Sequence, residues 1–61
     1  GVTFAVQING KTRATFDADA IISQTEAESI AKNLDNVRKY LEGKTPKKTI
    51  FVPGKIINFV V

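Results

Sequence analysis

Residues 2–8 alternate in polarity. Val2, Phe4, Val6 and Ile8 are apolar, with Thr3, Ala5 and Gln7 between them. A period of two places the first set on one face of a half-buried strand. Asn9-Gly10 follows, a strong hairpin signal, and a second strand is expected over Lys11 to Ala18. Parity then constrains the turn. A two-residue loop would set Ile8 opposite Lys11 and Val6 opposite Arg13, loading the apolar face with two cations. A three-residue turn with Gly10 left-handed avoids this. It puts Thr12, Ala14 and Phe16 on the apolar face. Gln7, Lys11 and Arg13 then form one exposed cationic patch.

The period changes after residue 22. Ser23-Gln24-Thr25-Glu26 fits a capping box, so a helix is expected just after Ser23. Ala27, Ile30, Ala31, Leu34, Val37 and Leu41 recur at spacings of three and four, giving one buried stripe. Asp35 is a good N-cap and could start a second short helix, so one helix or two fit this stretch. Gly43 ends the helical region. Lys48 to Val52 reads as a strand with Ile50 and Val52 on one face, Thr49 and Phe51 on the other. Pro46 just before it suits an edge strand or a strand start. Pro53-Gly54 is a turn. Ile56 to Val61 is apolar except for Asn58, as in a strand flanked by neighbours. The expected fold is α+β: a small four-stranded sheet in the order strand, strand, helix or helices, strand, strand, with the helical part on one face.

Composition narrows the chemistry. The chain has 61 residues, 43% of them hydrophobic, enough for one folded domain over residues 1–61 and no more. It has no cysteine and no histidine, which removes disulfides, thiolate metal sites and the commonest general base. Asp17 with Asp19, and Glu26 with Glu28, are the only close acidic pairs. Neither accompanies a nucleophile or a phosphate loop, so catalysis by this chain is not expected. No apolar run approaches the roughly 18 residues of a membrane helix. The chain starts with Gly1, not Met, and is expected to be a soluble, cytoplasmic piece of a longer protein.

Charge changes the picture further. The net charge is +3, and it is unevenly spread. Residues 1–20 balance, and residues 21–36 are acidic. Residues 37–48 carry Arg38, Lys39, Lys44, Lys47 and Lys48 against Glu42 alone. A basic segment on a small domain is a plausible footprint for nucleic acid. Lys32, Arg38 and Lys39 are expected to pair along the helices with Glu28, Asp35 and Glu42.

Three segments in register resemble bacterial-type leucyl-tRNA synthetases. Residues 6–13 are similar to their Val-Gln-(Val/Ile)-Asn-Gly-Lys-x-Arg stretch. Residues 37–44 resemble Val-x-Lys-Tyr-Leu-x-Gly-Lys. Residues 48–61 resemble their closing stretch, Lys-x-Ile-(Tyr/Phe)-Val-Pro-Gly-Lys followed by an apolar run with one Asn. Order and spacing agree over nearly all of residues 5–61. Thr12 departs from the pattern, where Val or Leu is usual, and Phe51 replaces the commoner Tyr.

The resemblance implies a tethered C-terminal domain that docks tRNA(Leu) at the outer corner of its L shape. The parent would join leucine to that tRNA using ATP and Mg. The parent's ATP-site signatures, His-Ile-Gly-His and Lys-Met-Ser-Lys-Ser, would lie elsewhere, so no cofactor or metal is expected in this piece. Its partners would be tRNA(Leu) and the rest of the synthetase, and the isolated piece would be a monomer. Folded tRNA is read by charge, shape and stacking. Lys11, Arg13, Lys47, Lys48 and Lys55 could pair with phosphates, and Gln7 and Asn58 with hydroxyls. Ile8 or Ile56 could lie on the flat corner base pair. Asn58 could equally satisfy a backbone group within the fold, and Gly10 and Gly54 serve turn geometry. The alternative function is a protein-interaction module that docks on the parent or another subunit.

Overall fold

A computed structural model describes residues 1–61. The elements are β1 (Val2–Ile8), β2 (Lys11–Ala18), α1 (Gln24–Lys32), α2 (Asp35–Leu41), β3 (Lys48–Val52) and β4 (Ile56–Val60). The sheet order is β2-β1-β4-β3. Both hairpins are antiparallel, and the central pair β1·β4 is parallel. Parallel neighbours need a crossover. Here the two helices supply it, carrying the chain from the β2 edge to the β3 edge across one face. The expected α+β architecture holds, with two helices.

The apolar positions explain the layering. Phe4, Val6, Ile8 and Phe16 from the first hairpin join Ile57 and Phe59 of β4 in one buried cluster. Ala27 and Ala31 of α1 and Val37 of α2 close it from the helix side. The two alanines lie one turn apart, and their small side chains let α1 settle close to the sheet. Phe4 stacks on Phe16, with ring centroids 5.0 Å apart, and on Phe51 at 6.2 Å. As its apolar run suggests, β4 is a central strand, and of the two placements open to β3 after Pro46 the chain adopts the edge.

The α1 capping box is present. Ser23 Oγ accepts the Glu26 N–H at 3.1 Å, and Glu26 Oε1 accepts the Ser23 N–H at 3.3 Å. Two expectations about the helices are corrected. Asp35 is not the N-cap of α2. Leu34 is, its backbone extended and its side chain packed on the core, and no side chain caps the helix. Burial of Leu34 sets the boundary one residue earlier than polarity would. Ile30 leaves the buried stripe and stays 37% exposed, because Ala27 and Ala31 define the contact side of α1.

The first hairpin also differs from expectation. Its loop has two residues, not three: Ile8 pairs with Lys11, and both Asn9 (φ 51°) and Gly10 (φ 84°) are left-handed. That is the mirror-image turn whose twist suits a hairpin. The parity problem is solved one step later. The register slips between Val6 and Gln7, leaving Arg13 as the extra residue of a β-bulge. Ala14 and Phe16 thereby return to the apolar face. Thr12 pairs with Gln7 on the opposite, helix-free face, which is why a Thr is tolerated there without weakening the core.

Candidate nucleic-acid interface

The bulge disperses the patch expected from Gln7, Lys11 and Arg13. Gln7 lies on the helix-free face, its Nε2 3.5 Å from Thr12 Oγ1. Lys11 pairs with Ile8 at the rim of the other face. Arg13 turns toward the helices, with its guanidinium carbon 4.6 Å from the Tyr40 ring centroid. Its Nε is buried without a hydrogen-bond partner, and its carbonyl accepts the Asn36 side-chain N–H at 3.5 Å. A guanidinium over an aromatic face is held by the ring quadrupole. Arg13 therefore fastens α2 to β2.

Strand direction sorts the remaining cations. Because β1 and β4 are parallel, the Asn9-Gly10 turn, the end of β4 and the start of β3 share one end of the sheet. Three hydrogen bonds tie that end together. The Asn9 N–H donates to the Phe59 carbonyl (2.9 Å), the Val61 N–H to Asn9 Oδ1 (2.9 Å) and the Lys47 N–H to the Val60 carbonyl (2.7 Å). Lys11, Lys47 and Lys48 stand there, all exposed. Two intervening strands separate the edges, so Lys11 and Lys48 sit about 14 Å apart across the sheet. Lys55 is at the opposite end, in the Pro53-Gly54 turn, where its carbonyl accepts the Ala5 N–H at 2.9 Å. It cannot act with the other three on one local group.

Two other candidates are accounted for by the fold. Asn58 is buried, and its Oδ1 accepts the Gly10 N–H at 3.0 Å, so it secures the hairpin tip. Asn58→Ala should cost on the order of 1–2 kcal/mol, since a part-buried amide loses its acceptor near solvent. Urea unfolding would read this as a lower midpoint at constant slope. Ile8 is only 5% exposed and belongs to the core, so it is not free to stack on a base pair. Ile56 is half-buried on the helix-free face, near the more exposed Ile50 and Val52. Gly10 (φ 84°) and Gly54 (φ 75°) are fixed by turn geometry, and an added Cβ would meet nothing within 4 Å at Gly10 and only the Ala20 methyl, at 3.7 Å, at Gly54.

The ion pairs expected along the helices form only once. Lys32 Nζ lies 3.6 Å from Glu28 Oε1, and no other acid–base pair comes within 4.0 Å. Arg38 and Lys39 are left unpaired. They line an open groove of about 770 Å³ with Lys32, Lys44, Asp35 and Glu42. The density of cations after residue 37 was the signal for this site. Asp35 and Glu42, at pairing spacing along the same helix, mask it in the sequence.

No protein-family model matches the chain. Among curated relatives it is 48% identical over 60 residues to a leucine–tRNA ligase of Synechocystis sp., covering 98% of this chain and 7% of that one. It is 54% identical over 56 residues to the leucine–tRNA ligase of Rickettsia bellii, again with 7% of the relative covered. The chain is homologous to a small piece of leucyl-tRNA synthetases. A solved synthetase shares the fold: the agnB2 enzyme of Agrobacterium radiobacter K84, in a ternary complex with tRNA and LeuAMS. It superposes with a TM-score of 0.88 at 32% identity, over 97% of this chain and 8% of that synthetase. No helix here is long and apolar enough to cross a membrane.

Proposed function

We propose that residues 1–61 form the C-terminal tRNA-docking domain of a leucyl-tRNA synthetase, a cytoplasmic ligase that charges tRNA(Leu) using ATP and Mg bound elsewhere. The domain would rest on the outer corner of the tRNA and help position it. One observation carries this reading: a segment homologous to synthetases gathers Lys11, Lys47 and Lys48 at one end of its sheet. Exposed cations of this kind pair with phosphates and set orientation without reading sequence. So few contacts give micromolar or weaker affinity in isolation, and a tether raises the local concentration in the parent.

The helix-free face supports a second reading. Ile50 and Val52 are 38% and 37% exposed there, beside half-buried Ile56. An apolar strip of this kind could dock on the body of the synthetase.

Titration of folded tRNA(Leu) with the chain and with Lys11→Ala/Lys47→Ala/Lys48→Ala tests the proposal. The triple variant should bind at least about tenfold more weakly at low salt. Arg13 is left intact, because its loss would loosen α2. No binding by the unmodified chain at low salt would overturn autonomous docking and favour the second reading.

A further inference from the structure

We infer that the groove between the end of α1, α2 and the α2–β3 loop is a seat for the phosphates of an RNA backbone, provided by Arg38, Lys39 and Lys44. The inference rests on the docking proposal and adds a surface to it.

The groove is the one sizeable concavity of the molecule. It holds four of the nine cations, Lys32, Arg38, Lys39 and Lys44, against two acids, Asp35 and Glu42. Only Lys32 is engaged, by Glu28 and by the Phe59 ring 5.9 Å away. The other three have no carboxylate within salt-bridge distance. Unpaired cations around a concave wall focus a positive potential and concentrate anions. A wall with Leu41 and Pro46 as its only apolar members offers little to an apolar ligand.

The groove also extends the end described above. Lys44 leads through Thr45-Pro46 directly into Lys47 and Lys48 at the start of β3. Lys32 reaches over Phe59, whose carbonyl binds the hairpin turn. A backbone leaving the groove along this loop would pass Lys44 and then Lys47 and Lys48. A polyanionic chain with repeating charges fits that track better than a single small anion. Asp35 and Glu42 make the potential uneven, and Glu42, with no pairing cation, opposes binding.

The test follows backbone amide resonances of the chain during titration with folded tRNA(Leu) and, separately, with tripolyphosphate. It is repeated on Arg38→Ala/Lys39→Ala/Lys44→Ala and on Glu42→Gln. Expected with tRNA are shifts of the 38, 39 and 44 amides. The triple variant should weaken binding at least about tenfold, and its salt slope should fall by about 0.9 for every phosphate left without its cation. Glu42→Gln should tighten binding about twofold, and serves if the triple variant loses its native spectrum. Binding of tRNA with silent groove amides and an unchanged slope would overturn the groove and leave docking intact. Shifts with tripolyphosphate but none with tRNA would overturn both the RNA-backbone seat and the docking proposal, leaving a groove that takes only small polyphosphates. Silence toward both would overturn both.

Discussion

Phe4→Ala is expected to leave much of the chain unfolded at 25 °C. Phe4 is fully buried, and its ring is stacked between Phe16 and Phe51. Truncating such a residue costs about 3–5 kcal/mol, from lost transfer energy and the cavity left behind. A chain of this size has a total stability of roughly 3–9 kcal/mol. The loss thus approaches the whole margin. Partial collapse is hindered because both neighbouring rings belong to different strands, each fixed by its own pairing. Phe51→Leu, at a half-buried edge position, should cost much less. Thermal melts followed by circular dichroism separate the two. A Phe4→Ala melting point within a few degrees of the parent would mean that the aromatic row is not the centre of the core.

Raising salt from 50 to 200 mM should weaken tRNA binding on the order of 100-fold, given about four phosphate contacts. The physical source is counterion release, since each lysine or arginine that meets a phosphate frees a condensed cation. Lys11, Lys47 and Lys48 with Arg38, Lys39 and Lys44 of the groove offer six cations, of which about four meeting phosphates at once would suffice. An apolar interface through Ile50, Val52 and Ile56 would respond little to the same change. Fluorescence anisotropy of labelled tRNA at several salt concentrations gives the slope directly. A change below about threefold would place the binding energy in apolar contact and count against the electrostatic account.

Much of this fold was legible in the sequence because its signals are local. The Ser23–Glu26 capping box, the alternation in residues 2–8 and the apolar run of β4 each act over a few residues. The conflict at the first hairpin is real, since Arg13 opposite Val6 could not stand. Sequence parity alone points to a remedy at the turn, whereas the chain uses a tight turn and an internal bulge. The reason lies far along the sequence. The bulge lets the Arg13 guanidinium meet Tyr40, on a helix whose position depends on the whole core. The groove was hidden for a related cause. Charges spaced for pairing along a helix do pair at Lys32 and Glu28, but Arg38 and Lys39 stay beyond 4.0 Å from Asp35 and Glu42 although all four lie on α2 or its cap. Asn58 could be read either way from sequence, and only its contact with the Gly10 amide assigns it to the fold.

The strand order has a consequence for how the chain folds. The hairpin of β1 and β2 and the helix α1 can form as soon as they exist, because their contacts are local. The core cannot, because β1 must pair with residues 56–59. Synthesised in order, β1 would keep one edge open until residues 56–59 were available to pair with it. Such distant pairing has to close a long loop before it is rewarded, so folding should be slow for so short a chain and close to all-or-none. Until β4 arrives, the apolar edge of β1 is where another strand could pair in its place.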